Sequence, residues 1–115
     1  MGLFRIDHEE PGAFCGNYVL LPYGYYYYHT KPLLDAKEGD VMRFFNGRDA
    51  IIRSVCLVEG AGVCDALCRF RYGVPWSAAF ARWVRYAVMQ GNARGVLDPG
   101  KCIMIMFEYQ CEEKQ

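Results

Sequence analysis

Asp40-Val41-Met42-Arg43-Phe44-Phe45-Asn46-Gly47-Arg48-Asp49-Ala50-Ile51-Ile52-Arg53-Ser54-Val55-Cys56-Leu57-Val58 is the stretch that decides the fold class. An Asn-Gly pair stands between two runs rich in β-branched and apolar residues. A two-residue type I′ turn needs positive φ at both central positions, so Asn46-Gly47 predicts a tight hairpin. Its arms are Val41 to Phe45 and about Asp49 to Val58. Glu38-Gly39-Asp40 reads as the turn feeding the first arm, and Gly60 and Gly62 end the second.

Beyond the hairpin the period changes from two to 3.6. Between Val63 and Tyr72, apolar Val63, Ala66, Leu67 and Phe70 recur at helical spacing, with Asp65 and Arg69 as an i, i+4 pair. Gly73 stops this helix and Pro75 begins the next. On a helical wheel Trp76, Ala79, Phe80, Trp83, Val84 and Ala87 share one arc, with Arg82 and Arg85 opposite. Gly91 and Asn92 close that helix, Asp98-Pro99-Gly100 is a turn, and Cys102 to Tyr109 is an apolar strand central in its sheet. In the other direction, Asn17 to Leu21 reads as a strand and Pro22-Tyr23-Gly24 as a turn. Tyr25 to His29 reads as a second, aromatic strand, and Thr30 to Gly39 as a polar connection. Hairpin-linked strands with the helices grouped together predict an α+β fold. The expected architecture is a small mixed β-barrel or strongly curved sheet with two helices inserted before the last strand, as a single domain over 1–115.

Of 115 residues, 53% are hydrophobic and 23% charged, enough to fill a core and too apolar for a disordered chain. Thirteen basic and thirteen acidic residues give a formal net charge of zero, which excludes a histone-like polycation. No apolar run approaches the roughly 18–20 residues of a membrane helix, so no membrane partner is expected. The charged first ten residues lack a signal peptide's apolar stretch, which predicts a cytoplasmic protein. The cysteines (Cys15, Cys56, Cys64, Cys68, Cys102, Cys111) form no CxxC pair, and His8 and His29 lie far from them in sequence. They read as small buried hydrophobes of a reduced protein; neither a metal nor any other cofactor is implied.

The zero net charge conceals a division. From Arg43 to Arg94 there are eight arginines, no lysine and three acids, or +5; the rest of the chain carries −5. Ala66 to Leu97 holds five arginines and no acid. Arginine's planar fork binds phosphate bidentately and stacks on bases. Arg69, Arg71, Arg82 and Arg85 beside Tyr72 and Trp76 therefore have the composition of a single-strand nucleic-acid surface, charge holding the backbone and rings stacking on bases. Tyr25-Tyr26-Tyr27-Tyr28 would alternate faces on a strand, so Tyr26 and Tyr28 form a second candidate platform. The competing reading is a solvated helix face, or one neutralised by the acidic terminal segments.

Catalytic patterns are sparse. The chain has no GxxxxGK[ST], GxGxxG, HExxH or GxSxG, and Ser54 and Ser77 are its only serines. Lys31, with Asp35 and Glu38, is the one place for acid–base chemistry.

Glu38-Gly39-Asp40-Val41-Met42-Arg43-Phe44, then Ile51 to Val58, then Lys101-Cys102-Ile103-Met104-Ile105-Met106-Phe107-Glu108 together resemble the ASCH domains of the PUA-like superfamily. Those domains have a Gly-Asp turn leading into a strand, a return strand, a helical insertion and a closing strand ending in Phe-Glu. The resemblance covers roughly Lys31 to Tyr109. Lys31 aligns with the lysine of the family's Gly-x-Lys, while that signature's Glu and Arg have no counterpart. It implies a small β-barrel with a cleft suited to RNA or a modified nucleoside. Three functions are therefore expected in turn: an RNA- or nucleotide-binding domain, a hydrolase of a nucleoside-like amide built on Lys31, and an interaction module, for example a homodimer.

Overall fold

The computed structural model describes residues 2–5, 17–23, 34–44, 47–89 and 98–109. Five strands and two helices follow in the order β1 (Leu3–Arg5), β2 (Asn17–Tyr23), β3 (Val41–Arg43), β4 (Asp49–Glu59), α1 (Ala61–Tyr72), α2 (Trp76–Met89) and β5 (Asp98–Tyr109). The sheet order is β1-β3-β4-β5-β2, with β1 parallel to β3 and the remaining pairs antiparallel. The fold is α+β, as expected. Among the described residues the sheet is open, with β1 and β2 at its two edges, and does not close into a barrel.

The hairpin is present, with a different turn. The Phe44 N–H donates to Arg48 O at 2.8 Å and the Gly47 N–H donates to Phe44 O at 2.8 Å. Pairing thus closes around the three residues 45–47 instead of two, and Gly47 takes the positive φ of 89°. A three-residue hairpin of this kind needs one left-handed residue, which the glycine supplies.

Cross-strand register sorts the side chains into two layers. Ala50 pairs Tyr109 and Ile52 pairs Phe107; then the register shifts by one at Arg53, so that Val55 pairs Ile105 and Leu57 pairs Ile103. Without that bulge Ile52 and Val55 would face opposite ways, because side chains alternate along a strand. With it, both join the core built on Val19, Met42, Phe44, Ile103, Ile105 and Phe107. Phe44, Phe107 and Tyr109 meet there edge to face or tilted, with ring centroids 5.3–6.2 Å apart. The opposite face carries Leu20, Cys102, Met104 and Val58, and the helices cover it.

Pro22 and Tyr23 continue β2 and do not form a turn. In an antiparallel strand the N–H and C=O of one residue point the same way, so Pro22 shares the outward direction of Leu20. Its missing N–H costs no ladder bond at an edge. Asp98-Pro99-Gly100 keeps its turn chemistry, with the Gly100 N–H donating to Asp98 Oδ1 at 2.9 Å, while forming the irregular start of β5. That start docks the helical layer. Gly60 N–H donates to Gly100 O at 2.7 Å. The Trp76 indole N–H donates to Pro99 O at 2.8 Å.

α1 buries a different stripe from the one that marks it in the sequence. Cys64, Leu67 and Cys68 face the sheet, whereas Val63, Ala66 and Phe70 are exposed. The cysteines behave as small apolar side chains and fit a helix lying close on the sheet. Among the described residues no helix is long and apolar enough to cross a membrane.

Candidate nucleic-acid interface on the helical layer

The arginines divide according to their partners. On the sheet, the Arg43 guanidinium forks onto both Asp49 oxygens at 2.7 and 3.0 Å. Arg53, at the bulge, reaches Glu38 at 3.3 Å and also Glu108. The Arg48 guanidinium stacks 3.9 Å above the Tyr109 ring. On α1, the Arg69 Nε donates to Asp65 at 2.7 Å, the expected i, i+4 pair.

Asp65 has a second task. Its other oxygen accepts the Trp76 backbone N–H at 2.9 Å and so caps the first turn of α2 from a neighbouring helix. That backbone bond first, and Arg69 second, hold the Asp65 carboxyl below the usual carboxylate range. Gly73 lets the chain turn between the helices: its φ of 77° is left-handed, and its N–H donates to Arg69 O at 2.9 Å.

Arg71 and Tyr72 are engaged with the edge strand. Tyr18 and Leu20 of β2 point their backbone groups away from β5. The Tyr72 hydroxyl accepts the Leu20 N–H at 3.1 Å, and Arg71 Nε donates to Tyr18 O at 3.1 Å. Tyr18 returns the contact by donating its hydroxyl to Leu67 O at 2.7 Å. The last turn of α1 therefore seals the free edge of β2, which an exposed edge strand otherwise offers to another chain. Burial pushes the Tyr72 phenol up, so it stays protonated through the neutral range.

Trp76 is 4% exposed and packs against Phe80 and Trp83 with centroids 5.6 and 5.5 Å away. It is a core side chain that leaves no ring face open. Tyr72 also meets Trp83 edge to face at 5.8 Å. Of the arginines singled out in the sequence, Arg69, Arg82 and Arg85 are exposed, and Arg69 is held by Asp65. Ala78, Ala81, Arg82 and Arg85 form one exposed strip of α2, and among the described residues neither arginine has a carboxylate partner.

Tyr26, Tyr28 and Lys31 lie outside the described residues. Asp35 is exposed, and Glu38 is exposed and engaged by Arg53. The described part of the acid–base constellation is thus an ion pair on the surface. Cys64, Cys68 and Cys102 are fully buried, with burial raising all three thiols, and the Cys64 thiol donates to Val58 O at 4.0 Å. Cys56 is exposed on the sheet. Among the described residues no group of three or more His, Cys, Asp or Glu is placed to hold a metal ion.

Sequence periodicity misplaced the buried stripe of α1, and the largest side chain left outside is Phe70. Phe70, which the helical spacing placed among the apolar stripe, is 85% exposed. The two cysteines one turn apart were the signal: they lie on the other side of the wheel and compete with that stripe for the core.

No family model, curated protein or solved structure matches this chain.

Proposed function

We propose that this chain is a PUA-like domain of the ASCH type that binds single-stranded RNA or a nucleotide through the helical layer, with Arg82 and Arg85 holding phosphate. The observation that carries this reading is that those two exposed arginines have no carboxylate partner among the described residues. Arg43, Arg53 and Arg69 each have a carboxylate, while Arg82 and Arg85, one helical turn apart on the exposed strip of α2, have none among the described residues. An arginine already answered by a carboxylate must exchange one anion for another and gains little. One held only by water gains the counterion release that drives phosphate binding.

Arg69 is exposed and can turn from Asp65 toward a ligand. Arg71 is engaged with the backbone of β2 and is not assigned to phosphate. The rings this reading assigns to stacking are Tyr26 and Tyr28. Tyr72 and Trp76, given that role from the sequence alone, serve the core and the β2 edge instead.

Titration of a fluorescent single-stranded RNA at low salt tests the reading. Binding should weaken as salt rises, and Arg82→Ala or Arg85→Ala should lower the slope of log affinity against log salt by about 1 each, equally across sequences. Absence of salt-sensitive binding by the wild-type protein would end the proposal.

A further inference from the structure

The ladder of the sheet gathers sulfur on one face. Along β5, alternation sends Ile103 and Ile105 into the core on one side and Cys102, Met104 and Met106 to the other. On β4, Val55 belongs with the first side and Val58 with the second, so Cys56 shares the face of the methionines. The register places Cys56 directly across from Met104, with Met106 one diagonal step away, opposite Ser54. Directly opposite residues have Cβ atoms about 4.5–5.5 Å apart and diagonal ones about 7–8 Å, within reach of long side chains.

These three sulfurs sit where the cover of the helical layer ends. Cys102 is fully buried and Met104 half-buried beneath the helices, whereas Cys56 is exposed and Met106 is 43% exposed. A methionine that open adds little to the core, and its three rotatable bonds let the thioether turn toward a neighbour. One thiol and two thioethers make a soft donor set, and soft thiolate and thioether ligands select Cu(I). Glu108, next along that face of β5, is taken by Arg53 and adds no carboxylate that would suit a harder ion. A site of one thiolate and two thioethers needs no group of three His, Cys, Asp or Glu, which the described residues lack.

We propose that Cys56, Met104 and Met106 form a Cu(I) site on the open part of the sheet, the Cys56 thiolate and the two thioethers each giving one sulfur. Binding releases the Cys56 thiol proton to solvent and leaves no net charge on the thiolate and its Cu(I). Copper stays Cu(I) throughout, so no electron is transferred. No residue of the α2 arginine strip takes part, and the site holds or fails independently of RNA binding.

The test is an oxygen-free titration of the whole, reduced chain with Cu(I) against a chromogenic Cu(I) chelator, with X-ray absorption to identify the donors. A single Cu(I) should bind per chain, through sulfur alone. Losing a hydrogen-bond partner of a metal ligand already costs about 10–100-fold in affinity, so losing the ligand itself should cost at least about tenfold. Cys56→Ser, Met104→Leu and Met106→Leu should each weaken binding by that much. Exchanging Met for Leu conserves side-chain volume, and unchanged circular dichroism confirms that the variants fold. Cys15→Ser and Cys111→Ser should leave Cu(I) affinity where it was. A wild-type chain that binds no Cu(I) overturns the proposal, as does a Cys56→Ser protein that binds as tightly or a site lost with Cys15 or Cys111. Either methionine variant binding like the wild type also overturns it, because the thiol then acts without the thioethers. The Arg82→Ala/Arg85→Ala double variant should lose RNA affinity and keep its Cu(I), which separates the two ideas.

Discussion

The sheet and the helical layer both display arginines, and they treat them in opposite ways. On β3 and β4, Arg43 and Arg53 meet Asp49, Glu38 and Glu108, carboxylates that strand pairing or an adjoining turn brings alongside them. On α2, Arg82 and Arg85 are exposed, and neither has a carboxylate partner among the described residues. α1 stands between: Arg69 keeps an acid one turn away, and Arg71 spends its donor on the backbone of β2. Equal charges in one chain thus have unequal capacity to meet a phosphate. The lesson is that an arginine count describes a surface only after each partner is known.

The largest effect that tests this contrast is structural. Tyr72→Phe removes the acceptor of the Leu20 N–H and should cost about 1–3 kcal/mol, read from urea unfolding, because an edge donor loses its partner beneath α1. RNA binding should persist in the folded variant. If stability does not move, the helix does not seal that edge.

Asp65→Ala comes next. It removes the acceptor at the start of α2 and should destabilise by about 1–2 kcal/mol, in the range of a lost helix cap. It also releases Arg69 and should steepen the salt dependence of RNA binding. A less steep dependence would show that Arg69 works only when the carboxylate holds it.

pH sharpens the same comparison. Asp40, Asp49 and Asp65 are all held below the ordinary carboxylate range: Asp40 by the Lys37 and Gly2 backbone N–H groups, Asp49 by Arg43, and Asp65 by the Trp76 N–H. A depressed folded value means the unfolded chain binds protons first. Their stabilisation is therefore complete above the unfolded value of about 3.9 and disappears as pH falls through the lower folded values. Urea midpoints should be flat from neutral pH down to that region and then drop. Asn in place of each aspartate should remove its share of the drop.

The smallest effects belong to the sheet pairs. Arg43→Ala and Arg53→Ala should each change stability by less than about 1 kcal/mol, as exposed ion pairs do, and leave the RNA salt slope where it was. A slope that falls as far as it does for Arg82→Ala would erase the distinction between the two regions.

Much of the fold was legible. Alternation and turn chemistry located β4, β5 and the hairpin between β3 and β4. The change of period located both helices, and the wheel of α2 put Arg82 and Arg85 on its outer face. Less of the site was legible. Trp76 and Tyr72 were grouped with the arginines because they are near in sequence, yet Trp76 turns into the core and Tyr72 toward β2. Tyr26, Tyr28 and Lys31 lie outside the described residues.

By itself the sequence determined the quantities that depend on neighbours along the chain: strand or helix, where each ends, and which way side chains of one element diverge. Those follow from dihedral preference and period. Only the tertiary structure decided which α1 stripe is buried, which strand edge needs a hydroxyl and a guanidinium, and which arginines find a carboxylate. Such outcomes depend on pairs far apart in the chain, Leu20 with Tyr72 or Arg53 with Glu108, and local composition carries no record of who meets whom across the sheet.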